Sequence, residues 1–193
     1  MVLSPLFPPF GVVFVKYLQS LTPEQQRELE AQSVSLHSPE PVQDAELVVR
    51  ALDQPLHFVG GEFTPAAFSD CASAGLSVDR LAHCTLEQAW VGAEARLRIW
   101  HNKRAADGKE QTQRHVIALT EFAVEELRAM RVGLNSTTRQ AIGVFDTAKA
   151  DNVAHADVIL QVAGKPAERS LRLSFYTAAK RSIRFRPGFS STD

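Results

Sequence analysis

Apolar and polar positions along the 193-residue chain follow two periods, and turn residues mark the joints between them. After a proline-bearing start, the run "FGVVFVKYL" at residues 10–18 is almost wholly apolar and reads as a strand or a docking segment. Thr22, Pro23 and Gln25 then form a capping-box pattern, which predicts a helix over "PEQQRELEAQ". Residues 33–43 hold serines, a histidine and two prolines and read as a loop. Asp44 is placed to cap a second short helix, "AELVVRALDQ", ended at Pro55. Residues 1–53 are therefore expected to be a helical N-terminal extension, and residues 54–193 an α+β domain.

"LHFVGGEFTP" follows, a strand pattern with a turn or bulge at Gly60 and Gly61, and then a short apolar segment around Leu76 and Val78. The clearest periodicity lies in residues 85–104. Thr85 and Gln88 form a second capping box, and Leu86, Ala89, Trp90, Ala93, Leu97 and Trp100 recur along one helical stripe. Asp107-Gly108 supplies the turn. "RHVIALTEF" reads as a buried strand and "VEELRAMR" as a helix capped by Gly133. "QAIGVFD", "HADVILQVA", "RSLRLSFYT" and "RSIRFRP" read as strands, with "AGKP" as a hairpin turn. Strand runs beside a few helices predict an α+β fold: a mostly antiparallel sheet with helices packed on one face.

Composition narrows this picture. Hydrophobic residues make up 45% and charged residues 22%, which excludes whole-chain disorder. The longest apolar run, Phe10–Val15, falls short of the ~20 residues a membrane span needs, and no basic region precedes it as in a signal peptide. An intracellular, cytoplasmic protein is expected. Its two cysteines, Cys71 and Cys84, suit a reducing compartment, although their proximity also permits a disulfide.

Charge adds an asymmetry. The net charge is −1, yet residues 1–95 carry 4 basic and 12 acidic side chains, a balance of −8. Residues 96–193 carry 17 basic and 10 acidic, a balance of +7. Arg96, Arg98, Lys103, Arg104, Lys109 and Arg114 form one basic cluster. Lys180, Arg181, Arg184 and Arg186 form a second, near Phe175, Tyr176, Phe185 and Phe189. Such residues suit phosphate and base contacts, but the sequence pI near 6.6 argues against a dedicated nucleic-acid domain. The same charges would serve contacts between the two halves, or between two copies of the chain.

Candidate chemistry is sparse. His155 and Asp157 stand two apart on a strand, so both face one side, where an imidazole and a carboxylate form a catalytic acid-base pair. The plainer alternative is a polar pair at a strand edge. Asp79 and Arg80 are candidate substrate-binding residues, with the arginine fork as an anion clamp. On a strand, though, they point to opposite faces, and a structural ion pair is the plainer alternative. Cys84 beside His83 raises a thiol nucleophile, against the default of a small buried side chain. No metal-ligand spacing, phosphate-binding glycine loop or nucleophile elbow is present, so neither a metal nor a cofactor is expected.

Phe63, Pro65, Asp70 and Gly75–Val78, followed far downstream by His155–Val158, resemble a loose family of small bacterial proteins with F-x-P, G-L-S-V and H-A-D-V segments. The resemblance spans roughly residues 60–162 and implies no activity, only interest in Asp79, Arg80, His155 and Asp157. Three readings stay open. One is a binding or adaptor protein acting through a charged surface toward a protein partner or a second copy. Another is a small enzyme on a phosphorylated or nucleotide-like substrate, with His155 as base and Asp157 orienting it. The third is nucleic-acid binding through Arg104, Lys180, Arg181, Arg184 and Arg186.

Overall fold

The structure, a computed structural model, describes residues 8–109, 112–134 and 137–188. Phe189 of the second basic-aromatic cluster lies outside the described residues. The N-terminal apolar run is a helix, α1 (Val12–Ser20), and not a strand. Phe14, Val15 and Leu18 are buried at helical spacing, while Val12 and Val13 stay exposed. The buried side packs on Phe145 and Ile159, so tertiary burial outweighs the strand preference of the valines. Helix α2 (Pro23–Glu30) starts with the expected capping box, in which the Gln25 amide donates to Thr22 Oγ1 and the Thr22 amide to Gln25 Oε1.

The second expected helix is instead a strand, β1 (Leu47–Gln54). Elements packed on both faces bury Val48, Val49, Leu52 and Asp53, a spacing that a helix would also give. A tight hairpin follows: β2 (Phe58–Val59) and β3 (Glu62–Phe63), joined by Gly60 at φ 59 and Gly61 at φ 82. Two positive φ angles are what a two-residue hairpin turn requires. A 3₁₀ segment (Pro65–Ala72) then leads to β4 (Leu76–Arg80).

Helix α3 (Leu86–Ala106) begins at the predicted Thr85–Gln88 capping box. Strand β5 (His115–Ala123) and helix α4 (Val124–Ala129) also match the pattern. Gly133 does not cap α4. It lies in β6 (Arg131–Leu134), and Met130 ends the helix in an extended conformation. Strands β7 (Thr137–Gln140), β8 (Ile142–Asp146) and β9 (His155–Leu160) come next. "AGKPAERSLRLSFYT" is not a hairpin. Gly164 and Pro166 open helix α5 (Lys165–Ala179), whose buried side is Ala167, Leu171, Phe175 and Ala179. A short β10 (Arg184–Phe185) follows.

The expected α+β class with a mostly antiparallel sheet holds. Six strands run in the order β10-β5-β1-β4-β9-β8, each antiparallel to its neighbours. The helices divide between its faces. Helices α4 and α5 and the 3₁₀ segment cover the main core, where Phe68 and Phe175 stack over Val48, Leu52 and Val158. Over the other face lie α1, on Phe145 and Ile159, and α3, on Val49 and Leu119. Helix α2 runs along the free edge of β8, where Glu30 Oε1 accepts from the Val144 amide and from Arg128 Nε, each at 2.7 Å. Among the described residues no helix is long and apolar enough to cross a membrane.

The charge asymmetry is partly consumed inside the molecule. Arg96, Arg114, Arg128 and Arg186 of the basic half pair with Asp79, Asp53, Glu30 and Glu94 of the acidic half. Arg128 also reaches Asp44 at 2.6 Å.

Candidate functional site

Strand pairing sets which side chains share a face. The β4–β9 register matches Ser77 with Asp157 and Asp79 with His155, so these four point together toward the side covered by α3. Val78, Arg80, Ala156 and Val158 alternate to the other side. Arg80 is fully buried there. Its guanidinium donates to Glu46 at 2.7 and 2.8 Å, to Asp146 at 2.8 Å and to the Glu40 carbonyl at 2.8 Å. The structure thus separates Arg80 from Asp79, and this arginine forms structural ion pairs with Glu46 and Asp146 in place of the expected anion clamp.

The His155–Asp157 pair is brought together, but through an intermediary. The closest direct approach is 4.0 Å, too long for a hydrogen bond. Thr147, in the loop after β8, bridges it: its hydroxyl donates to Asp157 Oδ2 at 2.8 Å and lies 2.9 Å from His155 Nδ1. His155 Nδ1 also lies 3.1 Å from the Thr147 carbonyl. A carbonyl only accepts, so Nδ1 carries the ring proton and Nε2 holds the lone pair. Lys149 Nζ donates to that Nε2 at 3.1 Å. Ser77 donates to the other Asp157 oxygen at 3.2 Å. Gly75, at φ 91, leaves room beside that carboxylate, since a Cβ there would lie 3.2 Å from Asp157 Cγ.

Burial pushes the His155 imidazole below its ordinary value. The Asp157 charge opposes that shift and the Lys149 ammonium adds to it. Neutral His155 lines a cleft of about 530 Å³ between α3 and the 149–154 loop. Asp79 lies at the same cleft, held by Arg96 at 2.7 and 3.4 Å and by the Asn152 amide at 2.7 Å. Cys84 lines it too. Burial and the Asp79 charge push its thiol up to about 11, and its Sγ donates to the Arg80 carbonyl, so it is no thiolate nucleophile. Both cysteines are free thiols. The upper wall is apolar: Ala89, Gly92, Ala95 and Ile99 of α3, faced by Val153. A second cavity of about 440 Å³ shares Asp79 and Arg96 with the first, so that ion pair stands between them.

Sequence reasoning missed Thr147, Lys149 and Asn152, all in the β8–β9 connection, and placed Arg96 only in the basic cluster. The available signal was the hairpin itself, which returns Thr147 and Lys149 beside His155.

The basic clusters are only partly joined. Arg184 and Arg186 lie on the α3 side, ion-paired to Glu121 and Glu94 at 2.5 Å each. Arg104 rests over Trp100 at 5.2 Å. Lys180, over Tyr176 at 5.3 Å, and exposed Arg181 follow α5 on the other side of the sheet. Among the described residues no group of three or more His, Cys, Asp or Glu side chains is arranged to hold a metal. Comparison with known proteins returns no match to a family model, a curated protein or a solved structure.

Proposed function

We propose that the protein is a binding module whose site is the cleft between α3 and the 149–154 loop, taking a ligand with an apolar body and one anionic group. The carrying observation is Lys149. Its ammonium is exposed at the cleft and makes no ion pair among the described residues, resting instead on the lone pair of a neutral imidazole. An anion is the stronger partner for a cation, because it adds the attraction of a full opposite charge that a neutral imidazole lacks. Asp79 and Arg96 already satisfy each other, and Ile99, Ala95 and Val153 offer apolar surface for the rest of the ligand. The volume falls within the ~300–1,000 Å³ usual for ligand sites.

Phenyl phosphate supplies this chemistry as a free molecule, and N-acetyl-Asp-Leu-amide supplies it as part of a partner's chain. In an amide-resonance titration, the better of the two shifts residues 92–99 and 147–155, and Lys149→Ala abolishes the effect while Arg181→Ala, at the end of α5, preserves it. Saturable shifts elsewhere, or shifts indifferent to Lys149→Ala, remove this reading.

A second reading, acid-base chemistry at the same cleft, is favoured by one feature: the Asp157–Thr147–His155 chain fixes the tautomer that turns the Nε2 lone pair toward the ligand. Phosphorus-31 spectra of phenyl phosphate incubated with the protein test it. Product formed by the wild type and lost in His155→Gln, with binding retained, is the enzyme's signature.

A further inference from the structure

The third cavity, of about 460 Å³, is lined by the C-terminal half of α3, the residues leading into β5, and Arg186. It is a different place from the cleft above and shares none of its lining residues. Its charges are unbalanced. Arg98, Arg114 and Arg186 face it with His101 and His115, and Glu94 is its one carboxylate among the described residues. Among the described residues Arg98 makes no ion pair or hydrogen bond, which leaves its charge facing the groove. Arg186 spends one N–H on Glu94, and Arg114 one on Asp53. A guanidinium has five N–H donors, so both retain outward donors. Arg114 is also held 4.8 Å from the Trp100 centroid, beside Arg104 at 5.2 Å, which fixes these cations before any ligand arrives. Exposed Lys103 extends the positive strip along the helix end.

We infer that this groove binds the sugar-phosphate backbone of a single-stranded nucleic acid. Three guanidinium groups from three separate segments meet at one concavity. That arrangement suits a run of phosphates better than a single one, and Arg pairs with phosphate oxygens through its planar fork. The two basic clusters of the sequence thus meet here through Arg186, while Lys180 and Arg181 stay outside. The overall charge of −1 makes the affinity depend on this local field, and hence on salt.

The test is fluorescence anisotropy of a labelled dT₁₂ oligonucleotide with the full chain at 50 and 200 mM KCl. Three phosphate contacts at a slope of about −0.7 each give binding about twentyfold weaker at the higher salt. Arg98→Glu, an exposed change outside any internal pair, weakens binding about tenfold or more. Lys180→Glu on the other side of the sheet leaves it unchanged. No binding at 50 mM KCl overturns the inference, as does binding that ignores Arg98→Glu. Loss of oligonucleotide binding in Lys149→Ala moves the polyanion to the cleft and equally overturns it. Adenosine monophosphate binding as tightly as dT₁₂ marks a single-phosphate site and rules out backbone recognition. Failure of the phenyl phosphate titration has no bearing on any of these results.

Discussion

His155 shows how one residue's environment sets its chemistry. Its ring is buried, its Nδ1 is fixed by Thr147 and its Nε2 faces Lys149. Removing the cation in Lys149→Ala raises its pKa toward the ordinary histidine value, and removing the anion in Asp157→Asn lowers it further. Imidazole carbon-bound proton shifts followed against pH measure both, and a fall in Lys149→Ala contradicts the assignment. The sign for stability follows. The folded pKa lies below the unfolded value near 6.5, so the unfolded chain binds the proton first. Stability therefore declines as pH falls from about 6.5 toward the folded value, and His155→Gln flattens that part of the profile. His155 and Asp157 were legible in the sequence because a spacing of two on a strand means a shared face. Arg80 illustrates the opposite case. Its adjacency to Asp79 proposed a shared site, but the pleat sends neighbours apart, and no local pattern announces that Glu46 and Asp146 await it in the core.

The two helices that open on a full capping box were read correctly, whereas a lone cap residue such as Asp44, or a segment with two compatible periods, was not. The Thr22 and Thr85 capping boxes satisfy helix-end amides by local chemistry, whatever the rest of the chain does. In α5, by contrast, Leu171, Leu173 and Phe175 alternate like a strand, while Leu171 and Phe175 also sit one helical turn apart. The structure decides between them: Leu171 and Phe175 are buried, and Leu173 is 59% exposed. Leu171→Ala is thus expected to cost about 2–5 kcal/mol, whereas Leu173→Ala changes stability by no more than about 0.5 kcal/mol. Chemical denaturation of the two variants checks this, and equal losses contradict the helix. In β1 the confusion ran the other way, since a strand covered on both faces loses its alternation.

At the scale of the molecule, the sequence showed two halves of opposite charge and left their partner open. The fold brings part of the answer inside, through pairs such as Arg128 with Glu30 and Arg96 with Asp79. What was not legible is where the remainder gathers. Strand order places β10 beside β5, and only that adjacency carries Arg186 to the end of α3. A site assembled from segments about 90 residues apart leaves no motif.

The carboxylate that caps the Val144 amide has a further consequence. An outer strand with open amides is a template for intermolecular β-pairing, and Ile142–Asp146 is wholly buried behind α2, with Glu30 on its amide row. Glu30 thereby occupies an edge amide that an incoming strand would need. Glu30→Ala is expected to expose that amide and shorten the lag of fibril growth seen by thioflavin fluorescence, and an unchanged lag contradicts this.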